Sequence, residues 1–253
     1  MGVTIVSCYY RLNNSKHTLK EYEEWILNLI FSLNYTNVIL FTCKNDEKYI
    51  RNLFQKNNKI SLFIVIQELD DLWISNSFEN IWNHQYSMDK QKETGRSIDC
   101  YKLWNSKFKF LEEAIHMNPY NSNKFIWNDI GNVRNKNMKK LLQNYPKEDN
   151  ISHQKLDIIL LRAFQDPTQC LFQNEVHFSG SIFGGGKDIL LELSKLYYYY
   201  FELYIKNELF IGCDQQIIST LFMTNKKKFN IIYPSNNNID PWFFLYEYYS
   251  MEN

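Results

Sequence analysis

Strand and helix patterns alternate along the first third of the chain, and no other feature of the sequence limits the fold as strongly. Apolar runs typical of buried strands occupy residues 4–9, 37–43 and 60–66. Between them, apolar residues recur at helical spacing over residues 19–31, and residues 46–54 predict a second, shorter helix. Strands that alternate with helices at this spacing are typical of a parallel sheet with helical crossovers. The pattern therefore predicts an α/β fold.

The rest of the chain extends this pattern without a linker or an internal repeat. Thr18, directly before the first helix, is a candidate N-cap. Residues 69–117 lack strand signals and are predicted to be largely helical, with a loop over residues 88–97. Further strands are predicted over residues 125–127, 156–164, 176–183 and 229–233, and further helices over residues 188–204 and 214–223. We therefore predict one α/β domain over residues 1–253, with a mostly parallel central sheet flanked by helices.

Composition excludes several classes of protein. Hydrophobic residues make up 45% of the chain and charged residues 22%, which argues against disorder. The formal net charge is zero, whereas a nucleic-acid-binding protein usually carries a basic excess, so we expect no nucleic-acid partner. The five cysteines form no Cys-x-x-Cys pair, which argues against a zinc site and fits a reducing compartment.

The sequence shows no sign of secretion or of membrane insertion. The N-terminus lacks the charged region and the small-residue cleavage site of a signal peptide. No apolar run approaches the length of about 20 residues that spans a bilayer. We therefore expect a cytoplasmic protein without a transmembrane segment.

The strongest local signal for a functional site follows the strand predicted over residues 125–127. This strand delivers Asp129 at its carboxyl end, next to Gly131, which lets the backbone turn. A carboxylate in this position can bind a hard divalent cation, which in turn binds a diphosphate. The alternative is that Asp129 only caps the turn after the strand.

Three consecutive glycines form a second signal. Gly184, Gly185 and Gly186 lie where a predicted strand meets a predicted helix, so we expect a turn with positive φ there. The N-terminus of the following helix offers free N–H groups to a polar or anionic ligand. We expect Gly184 and Gly185 to form part of the floor of a ligand site, unless they serve the turn alone.

Charged residues elsewhere suggest further roles. Asp214 opens a predicted helix, where it either caps the helix or acts as a general base facing the site. A carboxylate at a helix N-terminus is expected to have a lowered pKa. Lys102, Lys107 and Arg134 are candidate partners for phosphate.

The end of the first strand is a candidate ligand site, because ligands of open α/β sheets collect at the carboxyl ends of the strands. Tyr9, Tyr10 and Arg11 end this strand. A tyrosine ring there can stack on a base, and Arg11 can contact phosphate. The alternative is that one of the two tyrosines belongs to the core, because side chains alternate along a strand.

Several short segments form an ordered set over nearly the whole chain. They are residues 5–7, Tyr22, Trp25, residues 38–42, 101–107, 118–120 and 125–131, Arg134, residues 179–180 and 183–185, Gly212, and residues 214–215 and 242–243. Together, this set resembles the HtrL/YibB-like proteins, a family also described as WlaTC/HtrL glycosyltransferases. Each segment is a weak signal alone, but their order is specific.

The resemblance implies a GT-A-like fold, with a nucleotide-binding half over residues 1–134 and an acceptor half over residues 135–253. It implies transfer of a sugar from a nucleotide-sugar, by default a UDP-sugar, to a glycan or another hydroxyl acceptor. GT-A enzymes usually carry Asp-x-Asp, and the matching triplet here ends in Asn128 and Asp129, so only the second carboxylate remains. Asp129 is then the expected ligand of Mn²⁺ or Mg²⁺, with Asn128 beside it at the donor site.

The resemblance also suggests roles for residues outside this triplet. Lys107 is expected to supply a second positive charge to the donor. Asp214 is expected to activate the acceptor hydroxyl, which gives inversion, whereas in a retaining enzyme Asp214 or Gln215 only orients the donor sugar. One competing interpretation is an inactive GT-A-like domain that binds a glycan or a protein. Another is a phosphoryl or nucleotidyl transferase, which is disfavoured because two-metal chemistry needs several clustered carboxylates.

Overall fold

One sheet of seven strands forms the centre of the molecule. The structure is a computed structural model, which describes residues 2–12, 17–142, 144–173, 175–235 and 239–252. The strands are β1 (Val3–Tyr9), β2 (Thr36–Thr42), β3 (Ile60–Ile66), β4 (Lys124–Asn128), β5 (Leu156–Ile159), β6 (Ile182–Gly186) and β7 (Phe229–Ile232). In the sheet they follow the order β3-β2-β1-β4-β6-β5-β7.

The direction of the strands brings three chain segments to one edge of the sheet. β1 pairs in parallel with β2 and β4, β2 with β3, and β5 with β7, whereas β6 runs antiparallel to both β4 and β5. The last residue of β4, Asn128, lies opposite the first residue of β6, Ile182. The segment after β4 therefore meets the segment before β6 at the edge where β1 also ends.

Nine α-helices are assigned in the described part of the chain. They are α1 (Leu19–Ile30), α2 (Lys44–Phe54), α3 (Trp73–Ser77), α4 (Trp82–Met88), α5 (Ile98–Asn105), α6 (Lys107–Met117), α7 (Lys187–Lys206), α8 (Asp214–Thr224) and α9 (Phe244–Tyr248). None of these described helices is both long enough and apolar enough to cross a membrane.

The helices bury the two faces of the sheet in separate apolar layers. α3 to α8 pack on one face, and α1, α2 and α9 pack on the other. Side chains alternate between the layers along each strand, as the pleat requires. In β4, for example, Phe125 and Trp127 belong to the first layer and Ile126 to the second.

Stacked aromatic rings hold α6 against the sheet. The ring of Phe110 lies nearly parallel to the indole of Trp127 on β4, with centroids 5.9 Å apart and an interplanar angle of 9°. Phe108 stacks on Phe183 of β6 with centroids 5.2 Å apart. All four rings are buried, and burial of one phenylalanine side chain contributes about 1.5–3 kcal/mol. This packing fixes the first residue of α6, Lys107, at the edge of the sheet.

The predicted α/β class, the alternation in the first third and the largely helical stretch over residues 69–117 are confirmed. The predicted N-cap of α1 is also confirmed, as part of a capping box. The Thr18 hydroxyl accepts a hydrogen bond from the Glu21 N–H at 3.2 Å, and the Glu21 carboxylate accepts one from the Thr18 N–H at 2.7 Å. Two backbone N–H groups that lack a partner within the helix are thereby hydrogen-bonded.

Two strand predictions in the second half were wrong in their extent. The strand predicted over residues 156–164 ends at Ile159, and the one predicted over 176–183 begins only at Ile182. Residues 176–181 instead run beside the end of β5, joined by an isolated bridge between Leu160 and Phe178. The apolar run there reflects burial, which sequence periodicity cannot distinguish from a regular strand.

The prediction of a turn at residues 184–186 was also wrong, because Gly184, Gly185 and Gly186 form the end of β6. Of the described glycines, only Gly95 has a positive φ, 86°. The three glycines serve close backbone approach: a Cβ on Gly184 would lie 2.9 Å from the carbonyl oxygen of Phe125, and a Cβ on Gly185 would lie 2.7 Å from that of Lys155.

Replacing Gly186 with alanine should therefore destabilise the fold. The added Cβ would overlap the carbonyl oxygen of His153, so the backbone of β6 or of the segment before β5 would have to shift. We expect Gly186→Ala to lower the free energy of unfolding by about 2 kcal/mol or more, measured by urea denaturation. The matched control is Gly2→Ala, whose Cβ would have its nearest neighbour at 3.7 Å. Equal stability of the two variants would contradict this account of β6.

Candidate functional site

A cleft of about 1200 Å³ opens at the edge of the sheet where β1 and β4 end and β6 begins. Of the residues predicted to form a site, eight line it: Tyr9, Tyr10, Arg11, Lys107, Asp129, Arg134, Asp214 and Gln215. The fold thus brings together residues that are far apart in the sequence. Asn128, Gly184 and Gly185 do not line the cleft.

The centre of the cleft is a buried ammonium group held by oxygens. Lys107 Nζ lies 2.7 Å from the carbonyl oxygen of Gly180 and 3.0 Å from Asp214 Oδ2. The two carboxylate oxygens of Asp129 lie 3.3 and 3.4 Å from the same nitrogen. The Lys107 side chain is only 5% exposed, so the carboxylates supply the negative charge that a buried cation needs.

Four different chain segments supply this cluster. Lys107 begins α6, Asp214 begins α8, and Gly180 lies in the segment before β6. Asp129 follows β4, where its N–H donates a hydrogen bond to the carbonyl oxygen of Ser181 at 2.8 Å. The Asp129 carboxylate accepts a further hydrogen bond from Trp127 Nε1 at 2.7 Å. Asp129 is therefore fixed by both its backbone and its side chain.

Gly180 lets Asp214 approach the ammonium. A Cβ on Gly180 would lie 2.9 Å from Asp214 Oδ2 and 3.1 Å from Cγ of Gln215. A larger residue at position 180 would therefore displace the carboxylate. Gly180 and Ser181 are site residues to which sequence reasoning gave no role, although the Ser179-Gly180 pair belongs to the segment set that resembles the family.

The buried charged groups shift each other's pKa values. Burial alone would lower the pKa of Lys107, but the carboxylates of Asp129 and Asp214 outweigh it and raise the pKa of the ammonium above its ordinary value. Burial also raises the pKa of Asp214, against the opposing effect of Lys107. The expectation that the helix N-terminus lowers the pKa of Asp214 was wrong, because desolvation is the larger effect.

Asp214 makes no capping hydrogen bond either. The N-cap of α8 is Cys213, and no side chain caps this helix. The Asp214 carboxylate instead turns towards Lys107 and is only 6% exposed. Gln215, next to it, donates its amide N–H to the carbonyl oxygen of Phe178 at 2.7 Å. Both side chains are thus held in fixed orientations beside the cleft.

The two tyrosines at the end of β1 are more buried than a role in stacking on a base would require. The Tyr10 hydroxyl donates to the carbonyl oxygen of Gln67 at 3.1 Å, and its ring packs in the core. The ring of Tyr9 packs in the opposite layer, so both tyrosines are buried although they border the cleft. Arg11 is 47% exposed and pairs with Asp46 at 3.6 Å. Of the three, Arg11 presents the most exposed side chain to a ligand.

Asn128, expected beside the donor, points away from the cleft. Its amide oxygen accepts a hydrogen bond from the Tyr246 hydroxyl at 2.6 Å, and its amide nitrogen donates to the carbonyl oxygen of Asp129 at 3.0 Å. The side chain is fully buried in the second apolar layer because successive residues of a strand face opposite sides. Asn128 therefore packs and hydrogen-bonds inside the fold, whereas the donor role expected of it required a place in the cleft.

Two arginine–tryptophan pairs line the cleft. The guanidinium carbon of Arg134 lies 5.1 Å from the ring centroid of Trp25. The guanidinium carbon of Arg96 lies 5.6 Å from the ring centroid of Trp104. Both are cation–π distances, which hold a flexible arginine in place. Lys102, a phosphate candidate in the sequence, lies outside the lining and pairs with Asp70 at 3.7 Å.

The residues present do not form a site that suits a divalent metal ion. Within the described residues, no group of three or more His, Cys, Asp or Glu side chains is arranged to hold one. The expected ligand, Asp129, already accepts hydrogen bonds from Lys107 and Trp127. Hard cations such as Mg²⁺ and Mn²⁺ require several oxygen ligands, and here the carboxylates surround an ammonium instead.

The fold can be compared with those of solved structures. The apo form of mouse xyloside xylosyltransferase 1 superposes with a TM-score of 0.53 at 10% sequence identity. The match covers 92% of this chain and 85% of that one. The chain thus has the fold of GT-A glycosyltransferases, as its resemblance to the family implied.

Comparisons of sequence give the family. No curated protein matches the chain significantly. The family model described as "Bacterial protein of unknown function (HtrL_YibB)" matches residues 15–250. The match spans almost the whole chain and confirms the resemblance carried by the ordered segments. The chain belongs to the HtrL_YibB family of bacterial proteins.

Proposed function

We propose that the cleft transfers a sugar from a nucleotide-sugar donor to a hydroxyl group of a glycan or another acceptor. The observation that carries this proposal is the Lys107–Asp129–Asp214 cluster, which lies in a large cleft at the sheet edge of a GT-A-type fold. Pockets for one small ligand measure about 300–1,000 Å³, so a cleft of about 1200 Å³ has room for a donor and part of an acceptor.

The charges of the cluster suit this reaction. When a sugar leaves a nucleoside diphosphate, negative charge develops on the phosphate oxygen that it departs from. The Lys107 ammonium, whose charge is shared with Asp129 and Asp214, is a fixed hydrogen-bond donor in a site largely shielded from water, where its hydrogen bond to such an oxygen is stronger than in bulk solvent. Arg11, Arg96 and Arg134 add further positive charge to the lining.

The proposal divides the chain into two working halves. Residues 1–134 hold the donor, which we take to be a UDP-sugar, and residues 135–253 supply the acceptor side. Support for the division comes from the lining, because the end of β1 and α6 precede residue 135, whereas Gly180 and Asp214 follow it. The partly exposed ring of Trp104 in the lining offers a surface against which a base or a sugar ring can pack.

Asp214 is the carboxylate that we propose as general base. It borders the cleft, and its raised pKa makes it a stronger base than an exposed aspartate. Activation of the acceptor hydroxyl from the face opposite the leaving group gives inversion at the anomeric carbon. In the alternative role, Asp214 and Gln215 orient the donor sugar and the configuration is retained.

Ligand binding separates an active transferase from an inactive binding module. Nucleotide-sugars, with UDP-sugars tested first, should raise the melting temperature, because a ligand at about 100 times its Kd adds roughly 2.7 kcal/mol of apparent stability. Release of free nucleoside diphosphate in the presence of acceptor hydroxyls should accompany this shift. A protein that is stabilised by glycans alone and by no nucleotide-sugar would be a binding module and not a transferase.

Asp214→Asn tests the proposed base. The variant keeps the size of the side chain but cannot accept a proton, so kcat should fall by about 10²–10⁴-fold. In the wild type, kcat/KM should fall with decreasing pH as the base becomes protonated, at a pKa above the ordinary aspartate value of 3.8. Near-normal turnover in the variant, or a product with retained configuration, would assign Asp214 to orientation of the sugar.

Gly180→Ala tests whether the position of Asp214 matters. The added methyl group would push the carboxylate away from Lys107, so turnover should fall by about tenfold or more while nucleotide affinity changes little. Steady-state kinetics and calorimetry with UDP measure the two effects. Gly2→Ala again serves as the control, because its Cβ meets no close neighbour. A parallel loss of affinity and turnover would point to general disruption of the cleft.

A further inference from the structure

The Lys107 ammonium is a buried positive charge beside Asp129, the carboxylate that the family resemblance assigns to a metal ion. An ammonium group has three N–H donors. Here the nitrogen donates hydrogen bonds to the Gly180 carbonyl oxygen at 2.7 Å and to Asp129 Oδ2 at 3.4 Å, and it forms ion pairs with Asp214 Oδ2 at 3.0 Å and Asp129 Oδ1 at 3.3 Å. Four oxygen atoms thus lie within 3.4 Å of one nitrogen.

The three contacts are unequal in a way that suits exchange with a ligand. The contact with Asp129 is the longest, and the Asp129 side chain is 35% exposed, whereas that of Asp214 is 6% exposed. The N–H that faces Asp129 therefore lies on the open side of the cluster. An incoming phosphate oxygen can take this donor while Gly180 and Asp214 continue to hold the ammonium.

The surroundings of Asp129 explain why it is a poor ligand for a metal ion. The first position of the triplet, where GT-A enzymes usually carry a carboxylate, is Trp127, and its indole N–H donates to Asp129 Oδ1 at 2.7 Å. The ammonium of Lys107 lies close to both carboxylate oxygens. A divalent cation bound here would have to displace these donors and would lie beside a positive charge.

We propose that Lys107 replaces the divalent cation, so that the donor diphosphate binds to its ammonium and the reaction needs no metal ion. This inference rests on the proposed sugar transfer. In the step, the bond between the anomeric carbon and the phosphate oxygen breaks, and its electron pair remains on that oxygen, which accepts a hydrogen bond from the ammonium. The acceptor oxygen forms the new bond to the anomeric carbon, and its proton passes to the carboxylate of Asp214.

The first test compares nucleotide affinity with and without metal. The full-length protein is dialysed against EDTA, and UDP binding is measured by calorimetry in EDTA, in Mg²⁺ and in Mn²⁺. We expect the same Kd in all three solutions. A gain in affinity of about tenfold or more with either metal would overturn the inference, since it would show that a cation completes the site.

Asp129→Asn gives opposite results under the two interpretations. If Asp129 is a metal ligand, the variant loses its metal and binds UDP weakly. If Lys107 is the cation, the variant removes a negative charge beside the diphosphate and keeps the ammonium, which Asp214 and Gly180 still hold. We expect UDP affinity to stay equal or to rise. A loss of about tenfold or more would contradict the inference.

Lys107→Met tests the ammonium directly. Loss of a charge-assisted hydrogen bond to phosphate should weaken UDP binding by about 10- to 100-fold, with no recovery in Mn²⁺. The matched control is Lys102→Met on α5, a lysine that lies outside the cleft and should leave UDP affinity unchanged. Unaltered affinity in Lys107→Met would overturn the proposal. If that variant does not fold, Asp129→Asn decides, because Asp129 is partly exposed.

Failure of this inference can be told apart from failure of the proposed function. Sugar transfer that requires Mn²⁺ or Mg²⁺ would overturn the role of Lys107 and leave the transferase proposal standing. If neither UDP nor any other nucleoside diphosphate binds, and no nucleotide-sugar is consumed with or without metal, the proposed function fails, and the role of Lys107 fails with it.

Discussion

An ammonium group buried in a protein must be surrounded by negative charge and hydrogen-bond acceptors, because removing it from water costs several kcal/mol. Lys107 meets this requirement with two carboxylates and one carbonyl oxygen. These groups come from the segment after β4, the segment before β6 and the start of α8. The pairing of the ammonium therefore depends on the correct placement of all three segments relative to α6, and it links the packing of the helices to the geometry of the sheet.

The antiparallel strand β6 makes this meeting possible. In a fully parallel sheet, the segment before a strand lies at the opposite edge from the segment after its neighbour. Because β6 runs against β4, Gly180 and Ser181 lie beside Asp129 instead, and the Asp129 N–H donates to the Ser181 carbonyl oxygen. The absence of a side chain at Gly180 then leaves the space that Asp214 occupies.

Aromatic residues, which make up 17% of the chain, serve both the core and the cleft. In the core, the stacking of Phe108 and Phe110 against strand residues fixes α6, so Lys107 is presented from a rigid helix. In the cleft, Trp25 and Trp104 hold arginine side chains by cation–π contact. The core rings thus position the charged group of Lys107, and the two tryptophan rings border the space that substrates would occupy.

The sequence alone determined the α/β class, the order of elements in the first third, the N-cap Thr18 and the identity of Lys107, Asp129 and Asp214 as candidates. These features depend on local patterns, namely apolar periodicity, capping chemistry and charged residues at the ends of elements. The sequence did not determine that Gly184 and Gly185 lie inside β6, because glycine permits a turn and also permits close approach of another backbone.

Only the tertiary structure determined how the candidate residues Lys107, Asp129 and Asp214 interact. The three charged residues are separated by 22 and 85 positions in the sequence, and no local pattern reports that the ammonium of one lies between the carboxylates of the others. Burial in that arrangement also reversed the expected direction of the Asp214 pKa shift. Local sequence patterns can predict a charged residue at the end of a strand or helix. The partner of that residue and its exposure to water depend on how distant segments pack.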